Sequence, residues 1–234
     1  LEKISDLIRE IAPHALLHTD AVQGFPWLDI ATATRNADLI SLAAHKFGGP
    51  KGVGLLVAKK RAKLNPIQLG GGQEQGLRSG TQDVAGIVGM AAAAQTTSST
   101  RKTTVERIAP LRNRLADGLT AIEGSYETGV SKNKNGDTDR SNKIAGSCHV
   151  CFDHIESEAL LFLLEKENIY ASAASSCSSG AQDPSHVLAA MGYARDLAGG
   201  SLRLSLGYRT SETDIQAALE VIPRSIVQLR ETGS

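Results

Sequence analysis

The sequence AAHKFGGPKGVG, at residues 43–54, decides the fold because it places a lysine between two apolar runs. The run before it, 39–42, and the run at its end, 52–58, predict two strands joined by a glycine-rich turn. A lysine at a strand end beside glycines is a candidate Schiff-base or phosphate-binding residue. An ordinary surface turn with basic residues has the same pattern, so Lys46 alone supports either interpretation.

Helical and apolar segments alternate on both sides of this stretch. The predicted segments are, in order, a helix at 2–12 that Pro13 ends, strands at 15–18, 39–42 and 52–58, and helices at 84–95 and 103–122 with a break at 98–100. Short apolar runs that alternate with helices predict an α/β fold with a largely parallel sheet.

The second half of the chain mixes α and β segments. It predicts strands at 147–152, 169–171 and 202–206, helices at 156–166 and from about residue 184, and a last helix from the capping box at 211–214 to about 231. Residues 132–142 contain no apolar side chain and are predicted to form a mobile surface loop. We therefore expect one domain at 1–100 and a smaller one at 101–234.

Composition narrows the class of protein. The chain has 25 basic and 25 acidic residues, so no global charge favours nucleic acid or an anionic membrane. No run of about 18 apolar residues predicts a membrane span. Three cysteines are too few and too odd in number for a disulfide framework, which favours a reducing compartment and a cytoplasmic location.

Two of the cysteines, Cys148 and Cys151, have CxxC spacing, and His154 follows them. A metal or redox site would need a second pair or a supporting loop, and neither is visible. The segment itself has the pattern of a strand. We therefore favour two buried strand cysteines that behave as small apolar side chains.

Two further motifs carry reactive side chains. HTDAVQ, at 18–23, follows an apolar run, and Asp20 and Gln23 could face one ligand at the end of a strand. A simple turn or helix cap would also place an aspartate there. SSCSSG, at 175–180, presents Cys177 among small polar residues, which is typical of an accessible thiol, although a chance surface cysteine is the alternative.

Together these motifs resemble the cysteine desulfurases, which are pyridoxal-phosphate (PLP) enzymes of fold type I, similar to the class-V aminotransferases. The segments that carry the resemblance are HTDAVQ (18–23), AAHKFGGPKGVG (43–54), GGGQEQGLRSGT (70–81), SSCSSGAQDPSHVLAAMG (175–192) and LRLSLG (202–207). The resemblance implies the C-terminal part of a large PLP-binding domain, followed by a small α/β domain with a mobile cysteine loop at 172–182. It covers nearly the whole chain.

The resemblance also implies roles for individual residues around PLP. Lys46 would hold the cofactor covalently and move protons, and Asp20 would pair with the ring nitrogen. Gln23 would bond the phenolic oxygen, and His45 would lie beside the phosphate. Thr81 would reach the phosphate of the neighbouring subunit's cofactor, which implies a homodimer. Arg78 could make a structural ion pair or contact the ligand.

Two more residues would act on the substrate. Arg203 would bind the carboxylate of L-cysteine, and Cys177 would take its sulfur as a persulfide and release alanine. The sulfur would then pass to an acceptor, such as a scaffold protein for iron–sulfur cluster assembly. No metal ligands and no nucleic-acid or membrane binding are expected of this chain.

The sequence also departs from the pattern of the family. Ala43 stands where a serine usually bonds the phosphate, which would cost on the order of 1 kcal/mol of cofactor binding. Gln75 stands where an arginine is expected. The residues that come from the N-terminal portion of family members have no counterpart here, so we expect a chain that starts mid-protein, with a poorly covered sheet and an open cofactor site.

Two other functions remain open at this point. One is a related PLP lyase acting on selenocysteine, against which the loop around Cys177 argues only weakly. The other is a non-catalytic fragment that contributes a dimer or partner interface.

Overall fold

The computed structural model describes residues 1–173 and 185–232. The chain divides into two compact units, residues 1–103 and 104–234, and each is described by itself. The segment 174–184, which contains Cys177, lies outside the described residues.

The first unit contains a three-stranded sheet with helices around it. Its elements are α1 (Glu2–Ile11), β1 (His18–Asp20), α2 (Ile30–Ala33), β2 (Leu39–Ala43) and β3 (Gly54–Ala58), followed by the start of α3 (Val84–Thr120). The strand order is β1-β2-β3; β1 and β2 are parallel, and β2 and β3 are antiparallel. The predicted α/β fold is confirmed, although the first strand begins at His18, the last residue of the predicted run.

The sheet of the first unit is sparsely covered. A small core forms where Ala44, Phe47 and Met90 pack together. On β3, consecutive residues Leu55 and Leu56 are 48% and 49% exposed. Because neighbouring strand residues point to opposite faces, both faces of β3 are open to solvent. The expectation of a poorly covered sheet is confirmed for this strand.

The predicted break at 98–100 is wrong, because α3 runs without interruption through these residues. Ser99 and Thr100 donate their side-chain hydroxyls to the carbonyl of Thr96, at 2.9 Å each. Thr103 makes the same kind of bond to the carbonyl of Thr100. Hydroxyls that bond backward along the helix do not compete for the backbone N–H groups, so a run of polar residues need not end it.

The second unit is built around an antiparallel sheet with the order β4-β7-β8. Its elements after α3 are β4 (Ser125–Glu127), β5 (Ser131–Lys132), β6 (Thr138–Asp139), β7 (Ser147–Phe152), α4 (Ser157–Lys166), α5 (His186–Ala190), α6 (Arg195–Gly199), β8 (Ser201–Ser205) and α7 (Glu212–Thr232). Helices α4 and α7 pack against each other. The fully buried apolar side chains include Val150, Phe152, Leu160, Leu164, Leu202, Ile222 and Ile226.

Several predictions for this unit are confirmed. β7 has the predicted bounds, and the capping box starts α7: the Asp214 amide donates to the Ser211 hydroxyl, and the Ser211 amide donates to the Asp214 carboxylate. Residues 132–142, expected as a loop, contain part of the short β5–β6 hairpin. The predicted strand at 169–171 is wrong; the structure has only a single bridge there, between Ser172 and Arg203.

Candidate active site

The first part of the candidate site lies at the carboxyl ends of β1 and β2. These strands are parallel, so both end at the same edge of the sheet, where Asp20 pairs in register with Ser41. A 3₁₀ turn, Ala44–Phe47, follows β2 and carries His45 and Lys46. The carboxyl edge of strands is the usual ligand-binding edge of an α/β sheet.

The glycines fix the turn that presents Lys46. Gly48 has φ of +87°, a left-handed conformation that other residues rarely adopt. A Cβ on Gly49 would lie 2.9 Å from the Cβ of Ala44, so the chain can double back only over glycine. The Gly49 amide donates to the carbonyl of Ala44 at 2.9 Å. The sequence GG after HKF therefore holds the lysine at the strand edge.

The polar groups of this edge are exposed and largely free. Asp20 accepts a hydrogen bond at Oδ1 from the Val22 amide at 2.9 Å, as in a simple aspartate turn. The turn therefore uses only one carboxylate oxygen of Asp20. The other, Oδ2, has no partner among the described residues. Gln23, His45 and Lys46 are exposed, and within 1–173 and 185–232 their side chains make no hydrogen bond or ion pair. These side chains are available to a ligand.

Segment 70–81 contributes Thr81, which is exposed in the loop before α3. Arg78 donates to the backbone carbonyl of Ser79 at 2.8 Å, and among the described residues it makes no ion pair, which was one of the two roles considered for it. Glu74 and Gln75 both have left-handed backbone conformations, with φ of 50° and 57°. Side chains at such positions cost free energy, and the structure shows no contact that explains them.

Arg203 lies in the second unit, exposed on β8. Its backbone N–H and C=O both bond to Ser172, at 2.7 and 3.1 Å, and on the other side it pairs in register with His149 of β7. A cavity of about 200 Å³ opens here. The residues that line it are Thr128, His149, Ser185, Val187, Leu188, Met191 and Arg203.

His149 is a residue that sequence reasoning assigned only to the CxxC segment. Its Nδ1 lies 2.8 Å from the Thr128 hydroxyl. Burial, with the nearby positive charges of Lys143 and Arg203, lowers the pKa of His149 to about 4, so the ring is neutral at pH 7. Its pairing with Arg203 could not be read from sequence, because it depends on the register of two strands far apart in the chain.

Cys177 falls outside the described residues, so its placement stays a prediction. The described residues on either side of segment 174–184 are informative. Ser172, shortly before it, pairs with Arg203, and Ser185, directly after it, lines the same cavity. The described residues Ser172 and Ser185, which flank the segment, therefore both lie near Arg203.

The other two cysteines are structural, as expected. Cys148 and Cys151 are fully buried free thiols on β7. Burial raises the pKa of Cys148 to about 12 and that of Cys151 to about 11, so neither forms a thiolate near neutral pH. Residues 1–173 and 185–232 contain no group of His, Cys, Asp and Glu that could hold a metal ion. No helix in those ranges is long and apolar enough to span a membrane.

The structure thus brings together some of the predicted residues. Asp20, His45 and Lys46 share one sheet edge, and Gln23 lies in the turn that follows β1. Arg203 belongs to the second unit, where it is accompanied by His149.

Comparison with known proteins identifies the family. Residues 1–218 match the family model described as aminotransferase class-V. A cysteine desulfurase IscS of Clostridium botulinum (strain Kyoto / Type A2) is 40% identical over 99% of this chain and 56% of its own length. An IscS-like cysteine desulfurase of Mycobacterium tuberculosis is 41% identical over 93% of this chain and 53% of its own length. The chain spans about half the length of these curated relatives.

Solved structures give the same result. A NifS-like protein superposes with a TM-score of 0.82 at 31% identity, over 97% of this chain and 56% of its own. DndA from Streptomyces lividans has a TM-score of 0.61 at 33% identity, over 87% of this chain and 55% of its own. The resemblance predicted from the motifs is confirmed. The chain belongs to the aminotransferase class-V family, and the curated relatives named above are cysteine desulfurases.

Proposed function

We propose that this chain carries the lysine and the acceptor cysteine of a PLP-dependent cysteine desulfurase, which removes sulfur from L-cysteine and releases L-alanine. The observation that carries the proposal is Lys46, exposed and unpaired among the described residues at the sheet edge that Asp20 also occupies. The curated relatives named cysteine desulfurases support the reaction.

The residues at this edge fit PLP by their chemistry. Oδ2 of Asp20 is free to accept a hydrogen bond from a protonated ring nitrogen. Gln23 can donate to a phenolic oxygen, His45 can contact a phosphate, and the amine of Lys46 can react with an aldehyde. Each of these four exposed side chains, which lie near one edge of the sheet, therefore has a matching group on the cofactor. Residues 1–100 would form the cofactor-binding part.

Each side chain has a separate task in the proposed reaction. PLP, when bound, supplies an electron sink for the carbon atoms of the substrate. The Asp20 carboxylate keeps the ring nitrogen protonated, because a nearby negative charge favours the charged form. Lys46 moves a proton to and from the substrate carbon. Arg203 binds the carboxylate with its planar guanidinium.

Cys177 takes the sulfur. Its thiolate forms a bond to the sulfur of L-cysteine while the carbon–sulfur bond breaks, and the electron pair stays on carbon, which is protonated to give alanine. The products are alanine and a persulfide on Cys177. The small polar residues around Cys177 suit an accessible thiol, whereas the thiols of Cys148 and Cys151 are buried. Of the loop expected at 172–182, Ser172 is held in a bridge to Arg203.

The persulfide would pass to a sulfur acceptor, such as a scaffold protein for iron–sulfur cluster assembly. Thr81 would contact the phosphate bound by a second copy of the chain, so the active form would be a homodimer. A cytoplasmic location fits the proposal, because a persulfide-forming thiol requires a reducing compartment.

The test begins with the cofactor. Protein mixed with PLP should show the visible absorbance of lysine-bound PLP, and Lys46→Ala should remove it. Lys60→Ala, which changes an exposed lysine in the same unit, is the matched control and should retain it. No Lys46-dependent band in folded, dimeric protein would contradict the proposal and favour a non-catalytic fragment.

The test then turns to the reaction. The PLP-loaded protein should release sulfide from L-cysteine in the presence of a reductant, and Cys177→Ser should eliminate that release while retaining the absorbance. A rate with selenocysteine that remains in Cys177→Ser, with no activity on cysteine, would instead indicate a selenocysteine lyase.

A further inference from the structure

His149 and Arg203 form a close cross-strand pair on one face of the second sheet. The His149 carbonyl accepts from the Thr128 amide at 3.1 Å, on the β4 side. The backbone N–H and C=O of Arg203 both bond to Ser172, on the opposite side. The backbone groups of His149 and Arg203 therefore point away from each other, and the two residues form a non-hydrogen-bonded pair. In an antiparallel sheet, this is the type of pair in which facing side chains come closest.

His149 is held in place from two directions. Its backbone is fixed by the pairing with β4, and its ring is fixed by the 2.8 Å contact between Nδ1 and the Thr128 hydroxyl. The Lys143 ammonium donates to the Thr128 carbonyl at 2.7 Å, which places a further positive charge near the ring. Burial, together with the cations Lys143 and Arg203, lowers the pKa of His149, so the imidazole is neutral at pH 7.

The neutrality of His149 matters for the residue opposite. Among the described residues, the Arg203 guanidinium makes no ion pair and no side-chain hydrogen bond. The buried carboxylate of Glu127, on a neighbouring strand, is already paired with Arg140. A carboxylate at position 149 would pair with Arg203 and occupy it.

An open cavity lies beside this guanidinium. Val187, Leu188 and Met191, in and just after α5, line part of it. The Thr128 hydroxyl, His149 and Ser185 supply neutral polar groups. A volume of about 200 Å³ suits a ligand the size of a small amino acid. Among the described residues that line the cavity, Arg203 is the one unpaired cation, and a guanidinium binds a carboxylate preferentially.

We propose that His149 is a positioning residue, which occupies the place opposite Arg203 with a fixed, neutral ring and so leaves the guanidinium free for the carboxylate of the amino-acid substrate. This inference rests on the proposed function for the identity of the substrate. It extends that function by assigning a role to a residue outside the motifs of the family resemblance.

The test uses three variants of the PLP-loaded protein. His149→Glu puts a carboxylate opposite Arg203 and should raise KM for L-cysteine about tenfold, with kcat changed less than about threefold. His149→Gln keeps a neutral polar side chain and should raise KM less than about threefold. Gln228→Glu adds the same charge at an exposed site on α7 and should leave KM unchanged.

A second measurement does not depend on turnover. Phenylglyoxal modifies exposed guanidinium groups, and peptide mass spectrometry can follow its reaction at Arg203 in protein without cofactor. The rate at Arg203 should fall several-fold in His149→Glu and remain close to the parent rate in His149→Gln and Gln228→Glu, because only the first introduces an ion-pair partner.

The outcomes separate the two proposals. Equal phenylglyoxal rates at Arg203 in His149→Glu and in the parent would overturn the role of His149, whatever the activity. Equal losses of kcat in both His149 variants, with KM unchanged, would also overturn it and indicate a purely structural residue. A parent protein that does not turn over L-cysteine would contradict the proposed function, while the modification rates would still decide the inference.

Discussion

The two sheets of this molecule differ in how far the chain covers them. In the first unit, every residue of β3 is exposed, and Leu55 and Leu56 are about half exposed on opposite faces. In the second unit, Val150 and Leu202 are fully buried, and the face that carries His149 and Arg203 is partly covered, since Arg203 is exposed while Cys151 is fully buried. The first sheet therefore leaves both faces of β3 exposed to solvent, whereas the second sheet contributes fully buried side chains to a packed core.

This difference matches the proposed division of labour. The open edge of the first sheet presents Asp20 and Lys46, which are free to react with a cofactor. The packed second sheet holds Arg203 between Ser172 and His149, so its position is fixed before any ligand arrives. Side chains that react with a cofactor must be accessible to it, whereas a side chain that orients a substrate must be held in a fixed position by the surrounding structure.

The largest expected effect contrasts two leucines, one in each unit. Leu164 on α4 is fully buried, and Leu56 on β3 is 49% exposed. Leu164→Ala should lower the free energy of unfolding by about 2–5 kcal/mol, because it leaves a cavity in a packed core. Leu56→Ala should cost well under about 2 kcal/mol, since half the side chain is already in water. Urea denaturation followed by circular dichroism measures both, and equal losses would contradict the contrast.

The next effect concerns the pH dependence of stability in the second unit. The pKa of His149 is lowered to about 4 in the folded protein, so the unfolded chain binds more protons at this site between pH 4 and the usual value near 6.5. Stability should therefore fall as the pH decreases through this window, by roughly 3 kcal/mol. Denaturation curves of the parent and of His149→Gln should converge toward pH 4; a constant difference between them would refute the assignment.

A smaller effect belongs to the first unit. Arg61, with a further bond from the Leu17 amide, lowers the pKa of the buried Asp38 carboxylate to about 2. A depressed carboxylate pKa stabilises the fold above about pH 4, and this contribution is lost as the pH falls toward 2. Because Arg61 is 41% exposed and partly screened, Asp38→Asn should cost only about 1–2 kcal/mol near neutral pH.

The matched control for Asp38 is the exposed pair of Glu2 and Arg35, whose side chains are 65% and 60% exposed. Glu2→Gln should have no measurable effect on stability, because solvent-exposed ion pairs contribute little. If Glu2→Gln and Asp38→Asn destabilised the protein equally, the burial of Asp38 would not explain the larger contribution to stability expected of its ion pair with Arg61.

Sequence alone predicted the elements whose signal is local. The bounds of β7 follow from its apolar pattern, and the start of α7 follows from the capping residues at 211 and 214. The continuity of α3 was missed because whether a hydroxyl bonds to its own helix or breaks it is decided by context. The expected strand at 169–171 is replaced by a single bridge at Ser172, because strand pairing depends on the partner strand as well as on the local apolar run.

The candidate site was predictable to a different extent. Strand ends and glycines singled out Lys46 and Asp20 as candidates, but each motif alone also fitted an ordinary turn, and only the family resemblance assigned both residues to one cofactor. His149 was not assigned to the site, because its partner Arg203 is 54 positions away and only strand register brings the two together. Sequence motifs indicate the side chains proposed to react, whereas strand register is needed to find the neighbours that hold those side chains in place.

The most direct test of the central claim follows the sulfur itself. PLP-loaded protein treated with L-cysteine, without reductant, is digested, and the three cysteine positions are compared by mass spectrometry. We expect the peptide with Cys177 to gain one sulfur atom, the peptide with Cys148 and Cys151 to gain none, and Lys46→Ala to prevent the gain. Sulfur on Cys148 or Cys151 in the folded protein, or none on Cys177 while alanine is formed, would contradict the central claim.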